Sequence, residues 1–299
     1  MKMMHYSRLP ERGLIQLSGA EATSFLQALV SNDVERVTAA EAIYAALLTP
    51  QGKYIYDFFL AASGDRLLLD CEQARLAALV KRLSMYRLRA EVEIEDACED
   101  LSVFVAYGEG TPEALALAGE PGRAREFAGG VAFVDPRLSR AGVRVIAPEK
   151  AAANALEAAG FQAAPADGYD ALRLGLGLPD GSRDLEVERT ILLEGNFEEL
   201  NGVDFQKGCF VGQEVTARSK YRGLVKKRLL PVRVSGPLPA PDTPVLLGDK
   251  EAGVVRSGRD GLAMALLRLE RLEAAQLSGE SLFAGEARIE PLTPEWANV

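Results

Sequence analysis

The chain has 299 residues and a mass of 32.2 kDa, which is more than one hydrophobic core usually serves, so two or three packed domains are expected. Apolar residues make up 48% of the chain and charged residues 26%, the composition of a globular protein. The net charge of -9 excludes a protein whose whole surface binds nucleic acid, because a phosphate backbone requires a concentrated positive field.

Few side chains are available for nucleophilic or metal chemistry. The single histidine, His5, lies in the first residues, which argues against histidine-dependent triads, His-rich zinc sites and HExxH hydrolases. Cys71, Cys98 and Cys209 are irregularly spaced, which does not indicate a disulfide framework and fits a reducing compartment. The chain shows no apolar segment of signal-peptide length and no run near the roughly 20 apolar residues of a membrane span. These features predict a cytoplasmic protein without membrane association.

The first two thirds of the sequence mix strand-like and helix-like patterns, which predicts an α+β architecture. In chain order, the predicted elements are a strand at 14–17, a helix opened by an S-x-x-E capping box at 18–21, strands at 42–48, 54–60 and 66–71, a helix at 73–86, strands at 91–94, 101–106 and 143–146, and a helix at 150–159.

The composition changes after Gly223. Short strand-like runs separated by Gly, Pro and Asp follow at 228–234, 244–247, 251–256 and 262–267, with no long helix before Leu269. This pattern predicts a small C-terminal β-barrel or sandwich. We therefore expect an α+β region at 1–223, built from two lobes, and a β-barrel domain at 224–299.

The segment at 200–229, LNGVDFQKGCFVGQEVTARSKYRGLVKKRL, carries the most specific pattern. Cys209 lies between Gly208 and Gly212, and glycines permit a sharp backbone path that presents a thiol instead of packing it. QEVTARSKY predicts a helix after Gly212, with Glu214 and Arg218 as an i,i+4 pair. A cysteine before a helix N-terminus, with Lys207 nearby, favours the thiolate and hence metal binding or nucleophilic chemistry.

The same segment is strongly basic. Between 207 and 228 Glu214 is the lone acid, and the basic residues are Lys207, Arg218, Lys220, Arg222, Lys226, Lys227 and Arg228. Such a run predicts an anionic ligand, either a polyglutamylated cofactor, an acidic partner or RNA, although most charge runs are solvated faces. Most cysteines are likewise small buried hydrophobes, and this interpretation is adopted for Cys71 and Cys98. Acidic neighbours are expected to raise the pKa of Cys98.

KGCFVGQE at 207–214 resembles the KGC[FY]xGQE signature of the YgfZ/GcvT folate-binding protein family. The resemblance continues through TARSKYRGLVKKRL and includes LSGAEATSFLQALVSNDV at 17–34 and LLTPQGKYIYDFFL at 47–60. LLLDCE at 67–72 and MYRLR at 85–89 look most like the mitochondrial-type iron-sulfur cluster assembly factors of this family. The resemblance to the family covers nearly the whole chain and is weakest at 108–140.

The resemblance implies the three-lobed fold of the glycine-cleavage aminomethyltransferase, with a folate channel and a C-terminal barrel. By position, Asp57 matches one aspartate of the transferase's Asp-Asp pair, and Asp70 stands where the transferase has a pterin-binding asparagine. Gly175 occupies the place of a glutamate, and glycine cannot pair with an aminopyrimidine edge. The expected tetrahydrofolate-binding residues are Asp57 and Asp70, with Lys207 and Arg222 at the mouth to meet glutamate carboxylates.

Two functions follow as hypotheses. The first is an iron-sulfur cluster assembly factor that binds tetrahydrofolate and uses Cys209 as a reactive thiol and cluster ligand, shared with an A-type carrier protein. Such a factor supports tRNA-modifying cluster enzymes, so its contact with nucleic acid is indirect. The alternative is a folate-dependent aminomethyl or one-carbon transferase, weakened by the missing glutamate. A direct RNA-modifying role rests on the basic run alone.

Overall fold

A computed structural model describes residues 3–223 and 225–297. The chain divides into two compact units, and each unit is assembled from separated stretches of sequence. Unit 1 consists of Met1–Leu48, Ile55–Tyr169 and Leu200–Val211, and unit 2 consists of Thr49–Tyr54, Asp170–Glu199 and Gly212–Val299. The predicted domain boundary between residues 223 and 224 stays a prediction.

Unit 1 contains two sheets, whose strands are numbered in chain order. They are β1 (His5–Arg8), β2 (Arg12–Ser18), β3 (Ile43–Leu48), β4 (Tyr54–Ser63), β5 (Arg66–Glu72), β6 (Glu93–Asp96), β7 (Ser102–Tyr107), β8 (Ala124–Phe127), β9 (Gly130–Val134), β10 (Val143–Ala147) and β11 (Gln162–Ala163). One sheet has the order β3-β4-β5-β2-β6, and the other has the order β11-β1-β7-β10-β9-β8. Strand β1 pairs with β11 in parallel and with β7 antiparallel.

Several strands of unit 1 are apolar enough to be covered on both faces. All residues of β3, β9 and β10 are buried, and β4 is buried from Tyr54 to Ala61. Continuous apolar runs of this kind form strands that lie inside a core instead of facing solvent on one side. Charged residues inside such strands, Asp57 in β4 and Arg144 in β10, must therefore find partners within the protein.

Seven α-helices accompany the strands in the described residues. They are α1 (Ala22–Gln27), α2 (Leu76–Arg87), α3 (Thr111–Ala114), α4 (Glu149–Ala158), α5 (Ala166–Leu176), α6 (Gln213–Tyr221) and α7 (Leu269–Ser278). Helix α2 buries Leu76, Leu79 and Leu83, the i,i+3,i+4 spacing of an amphipathic helix. Among the helices in the described part of the chain, none combines the length and apolar content that crossing a bilayer requires.

Unit 2 contains a closed six-stranded barrel. Its strands are β12 (Lys227–Ser235), β13 (Pro244–Leu247), β14 (Lys250–Arg259), β15 (Leu262–Arg268), β16 (Leu282–Ala284) and β17 (Ala287–Pro291), in the order β12-β15-β14-β13-β16-β17. Alternate residues point inward, among them Val232, Val255 and Ile289. Closure leaves no unpaired strand edge, so these short strands form a self-contained core.

A buried ionic group joins the remainder of unit 2 to the barrel. Arg173 in α5 donates to Asp184 at 2.5 Å and to the Ser257 hydroxyl of β14 at 2.6 Å. Asp184 also accepts from the Ser257 hydroxyl at 2.5 Å. Each partner is nearly inaccessible to water, so the loss of one would leave a buried polar group unpaired.

The S-x-x-E prediction at the start of α1 is wrong. Ser18 is the last residue of β2, where it pairs with Glu93, and α1 begins four residues later at Ala22. Glu21 caps α1 without a side-chain hydrogen bond, because its carboxylate accepts from the Glu91 amide at 2.7 Å. Ser18 therefore belongs to the strand pairing of β2, and it does not cap the helix as the local sequence pattern predicts.

Candidate functional site

Residues 201–211, here called the cysteine loop, lie against the turn that follows α1. The Asn32 side chain donates to the Asn201 carbonyl at 2.8 Å. The Ser31 hydroxyl donates to the Gly202 carbonyl at 2.6 Å, and the Ser31 carbonyl accepts from the Asp204 amide at 3.0 Å. Ser31 and Asn32 are buried, so these hydrogen bonds are shielded from water and fix the first half of the loop.

Lys207 ties the second half of the loop to the same place. Its Nζ donates to the carbonyls of Gln27 at 2.7 Å and Val30 at 2.6 Å, at the C-terminal end of α1. An ammonium suits this position because the last carbonyls of a helix carry partial negative charge. The group also lies 5.3 Å from the centroid of the Phe210 ring. Burial lowers the pKa of Lys207 to about 8.

Cys209 is exposed between these two anchored side chains. On one side Lys207 is held by carbonyls, and on the other Phe210 is buried at 7% exposure. Gly208 and Gly212 have φ angles of +94° and +81°, a region that side chains other than glycine rarely adopt. The prediction of a presented thiol between two glycine-dependent turns is confirmed.

The other two cysteines, Cys71 and Cys98, are less accessible than Cys209 and have raised pKa values. Cys71 is buried in β5, and burial raises the pKa of its thiol to about 12. Burial and a hydrogen bond involving Asp96 raise the pKa of Cys98 to about 11, and its sulfur accepts from the Leu14 amide at 3.2 Å. Cys71 is buried as predicted, whereas Cys98 is only partly buried, and the raised pKa of Cys98 is confirmed.

Helix α6 matches its predicted range, and its glycine N-cap is Gly212. The predicted pair between Glu214 and Arg218 is present. Arg222 follows the helix as its C-cap and is exposed. It belongs to unit 2, whereas Lys207 and Cys209 belong to unit 1.

Much of the basic run is neutralised within its own unit. In unit 2, Lys220 contacts Glu198 at 2.6 Å, and Arg228 pairs with Glu199 and donates to the Asn196 side chain. Arg222 and Lys226 are exposed, and so is Arg218, which pairs with Glu214. The local net charge of the sequence therefore overstates the positive field that reaches solvent.

Asp57 and Asp70 lie on one face of the five-stranded sheet. Phe59 in β4 stands opposite Asp70 in β5, and Asp57 lies two residues before Phe59, so the three side chains share a face. Asp57 accepts a hydrogen bond of 2.8 Å from the Tyr44 hydroxyl. The two carboxylates are 3% and 0% exposed.

Arginines enclose Asp70 completely. Arg12 Nε donates to one carboxylate oxygen at 2.6 Å, and Arg144 Nη1 donates to the other at 2.7 Å. The Arg144 guanidinium also lies over the Phe59 ring, 3.8 Å from its centroid. A carboxylate that is 0% exposed and holds a guanidinium on each oxygen offers little accessible surface to a ligand.

The pairing extends to a third carboxylate. Arg137 donates to Asp135 through Nε at 3.0 Å and Nη2 at 2.8 Å, and Arg144 Nε lies 3.6 Å from the same carboxylate. We call the resulting set the aspartate network, which consists of Asp57, Asp70, Asp135, Arg12, Arg137 and Arg144. Asp57 joins it through Tyr44, because the Arg137 guanidinium lies 5.3 Å from the centroid of the Tyr44 ring. The three carboxylates and three guanidiniums of the network balance, which is what burial of charge demands.

A cavity of about 800 Å³ lies in unit 2, between α7 and strands of the barrel. Its lining mixes apolar residues such as Leu230, Leu272 and Ile289 with Lys220 and Arg228. None of the predicted site residues lines it. Lys220 and Arg228 are paired with glutamates, and Glu273, Glu280 and Arg288 add further charge to the lining.

The predicted site residues thus fall into three places. Lys207 and Cys209 share the cysteine loop, Asp57 and Asp70 share the aspartate network, and Arg222 ends a helix of unit 2. Within the described residues, no group of three or more His, Cys, Asp or Glu side chains is arranged to hold a metal ion. Any cluster bound through Cys209 would need ligands from another molecule.

The sequence reasoning missed the arginines that enclose the aspartates. Arg144 carried a usable signal, because it interrupts the apolar strand VRVIA and a buried arginine requires a carboxylate. Arg12 carried none, since it lies at the start of a strand, where an exposed charge is ordinary. Pairings between distant strands are set by topology, which the local pattern does not show.

Comparison with known proteins now adds evolutionary relationship to this geometry. The chain is 34% identical over 286 residues to the human protein named "Iron-sulfur cluster assembly factor IBA57, mitochondrial". It is 33% identical over 288 residues to the mouse protein of the same name, and each comparison covers 89% of this chain and 78% of the relative. The chain belongs to the IBA57 family of iron-sulfur cluster assembly factors. The predicted relationship to the YgfZ/GcvT type of protein is confirmed.

Two further comparisons concern the fold of this IBA57-family chain. Residues 226–299 match the family described as "CAF17, C-terminal beta-barrel domain". The structure resembles glycine cleavage system aminomethyltransferase T from Bartonella henselae, with a TM-score of 0.75 over 99% of this chain and 86% of that one. At 16% identity this likeness shows the fold alone. The prediction of an α+β, aminomethyltransferase-like fold with a C-terminal β-barrel is confirmed.

The predicted cytoplasmic location is wrong. The human, mouse and Mycosarcoma maydis relatives are all named as mitochondrial proteins. The prediction rested on cysteine usage and on the lack of long apolar segments. Those features argue against disulfide-rich secreted and membrane-spanning proteins, but they do not distinguish one reducing compartment from another.

Proposed function

We propose that this chain matures iron-sulfur proteins through the thiol of Cys209, which serves as a cluster ligand shared with an A-type carrier protein. One observation carries the proposal: among the three cysteines, Cys209 alone is exposed, and it lies between two anchored side chains. Soft thiolate donors suit the iron of clusters. Family membership supplies the chemical context for that thiol.

The cluster is cargo in this proposal. Cys209 forms an iron-thiolate bond while a thiolate of the carrier leaves, so one bond of the same kind replaces another. No iron changes oxidation state, and the departing thiolate takes up the proton that Cys209 releases. The chain contributes one ligand, and the carrier or a small thiol completes the coordination.

Tetrahydrofolate is the second proposed ligand, and Asp57 or Asp70 would have to contact its pterin. A pterin edge is recognised by a carboxylate that accepts its N–H groups. Both oxygens of Asp70 already accept from arginines, and Asp57, at 3% exposure, accepts from Tyr44. These contacts do not fit a pterin-reading role for Asp70, and no one-carbon step follows from them. Folate binding by this chain stays a prediction, and so do the folate-binding roles predicted for Asp57 and for Arg222.

The alternative, a folate-dependent aminomethyl transferase, has no specific support in these contacts. Gly175 brings no carboxylate. A side chain at position 175 would begin 3.8 Å from Leu262, which belongs to the same unit. Anaerobic titration with tetrahydrofolate followed by an assay for one-carbon transfer separates the two functions. We expect no transfer, and turnover would revive the transferase.

The cellular test uses cells that lack the protein and compares rescue by wild type, Cys209→Ser and Cys98→Ser at equal abundance. Serine conserves size but removes the soft donor. We expect wild type and Cys98→Ser to restore cluster-dependent enzymes, including those that modify tRNA, and Cys209→Ser to fail. Equal rescue by Cys209→Ser would show that the thiol is dispensable.

A further inference from the structure

We infer that Lys207 is a positioning residue, which fixes the Cys209 thiol for delivery to a partner and does not serve as a cation for an anionic ligand. The inference rests on the proposed function of Cys209 and assigns a distinct task to its neighbour. The basic run of the sequence had grouped Lys207 with the exposed charges. The contacts of Lys207 distinguish it from the exposed basic residues of that run.

The donor directions of the ammonium are largely committed inside the protein. An ammonium has three N–H donors, and two of those of Lys207 donate to the Gln27 and Val30 carbonyls at 2.7 and 2.6 Å. The same group faces the Phe210 ring. Its side chain is half-buried, whereas that of Lys226 is exposed. Lys207 is therefore placed to hold backbone, while Lys226 is placed to meet solvent ions.

The position of Lys207 along the chain links this contact to the thiol. Two residues span at most about 7 Å, so a fixed Lys207 confines the Cys209 backbone to a small volume. Gly208 lies between them, and among the described residues no atom beyond its two chain neighbours lies within 4 Å of the place where a side chain at Gly208 would begin. Without the lysine contacts, only the Phe210 side of the loop would remain anchored next to the cysteine.

The consequence differs for small and large reaction partners. A small alkylating reagent needs only an exposed thiol, so its rate is insensitive to loop order. A protein partner must meet the thiol in one orientation, and ordering a loop at that moment weakens the encounter. Loss of the lysine contacts should therefore impair cluster exchange with a carrier much more than alkylation.

The experiment compares Lys207→Met with Lys207→Gln in the full chain, because both remove the charge but only glutamine can still donate to carbonyls. Two rates are measured for each variant, alkylation of Cys209 by iodoacetamide and cluster exchange with a loaded A-type carrier. Lys226→Met serves as the matched charge control. Thr111→Ala serves as the stability control, since it removes a buried hydroxyl that donates to the Gly108 carbonyl at 2.8 Å.

We expect Lys207→Met to exchange clusters about tenfold more slowly, the loss expected when one or two residues must be ordered on binding, while alkylation changes less than about twofold. Lys207→Gln should recover most of the rate, and both controls should match wild type. Equal loss in Lys207→Met and Lys207→Gln would instead establish the cation itself as the functional group. Equal loss in Thr111→Ala would reduce the effect to stability.

Failure of this inference is separable from failure of the proposed function. If Cys209→Ser exchanges clusters as well as wild type, the proposed function fails. If Cys209→Ser is inactive and Lys207→Met is fully active, only the positioning role is overturned. If Lys207→Met does not accumulate as folded protein, Lys207→Gln still decides, because an inactive but folded Lys207→Gln contradicts positioning.

Discussion

The cysteine loop and the aspartate network belong to the same unit and were predicted from the same resemblance, yet they present their functional groups in opposite ways. Cys209 is exposed between two anchored neighbours. Asp70 is fully buried, with a guanidinium on each oxygen. A motif therefore identifies which residues matter and leaves open whether they face a ligand or the protein itself.

The physical difference lies in what surrounds each group. In the cysteine loop, glycines set the backbone path, and the half-buried Lys207 contacts backbone carbonyls. Lys207 therefore does not occupy the Cys209 thiol. Apolar strands surround the aspartates, and a charge inside apolar surroundings must be paired. The cysteine loop and the aspartate network can each be tested by separate experiments.

The largest expected contrast is in thiol reactivity. In native protein at pH 8, iodoacetamide should modify Cys209 alone, because the pKa values of Cys71 and Cys98 are raised to about 12 and 11 and Cys71 is buried. Mass spectrometry after partial labelling should show one modified thiol, and the unfolded chain should show three. Modification of Cys98 at the rate of Cys209 would contradict the account.

The next largest effect concerns Asp70. Asp70→Asn should lower the free energy of unfolding by about 3–5 kcal/mol, because it leaves two buried guanidiniums without their full counter-charge. Urea denaturation measures this loss, with Asp65→Asn in the exposed turn before β5 as the control. A loss below about 1 kcal/mol, joined to a loss of folate affinity, would return Asp70 to a ligand-binding role.

The third prediction concerns acid. Burial alone would raise the pKa of Asp135, but the adjacent Arg137 outweighs it and holds the pKa below its ordinary value. A lowered pKa contributes stability that is present above the unfolded value, near pH 4, and is lost as the pH falls through the folded value. The slope of unfolding free energy against pH below 4 should therefore be steeper for wild type than for Asp135→Asn. Identical slopes for the two proteins would contradict a lowered pKa of Asp135.

The smallest effect belongs to the exposed pair of α6. Glu214→Ala should lower stability by only about 0.3–0.5 kcal/mol, because both side chains of the Glu214–Arg218 pair are largely exposed. The effect should shrink at high salt. A loss similar to that of Asp70→Asn would erase the distinction drawn here between exposed and buried charges.

Local signals predicted much of the secondary structure. The QEVTARSKY helix and the strand at 244–247 were predicted with the observed bounds, since glycine and proline mark their ends. Strands β8 and β9, within the region of weakest resemblance, were not predicted. The exposure of Cys209 followed from its glycines. The arginine partners of Asp70 did not, because β2 and β10 approach β5 through the tertiary fold and not through sequence proximity.

The central claim is that Cys209 supplies a cluster ligand that another protein completes. The direct measurement is anaerobic mixing with a cluster-loaded A-type carrier, followed by separation of the complex and determination of its iron content and visible absorption. Wild type and Cys98→Ser should retain a cluster in a joint complex, and Cys209→Ser should leave it on the carrier alone. A joint complex with the same iron content and spectrum in Cys209→Ser would contradict the claim.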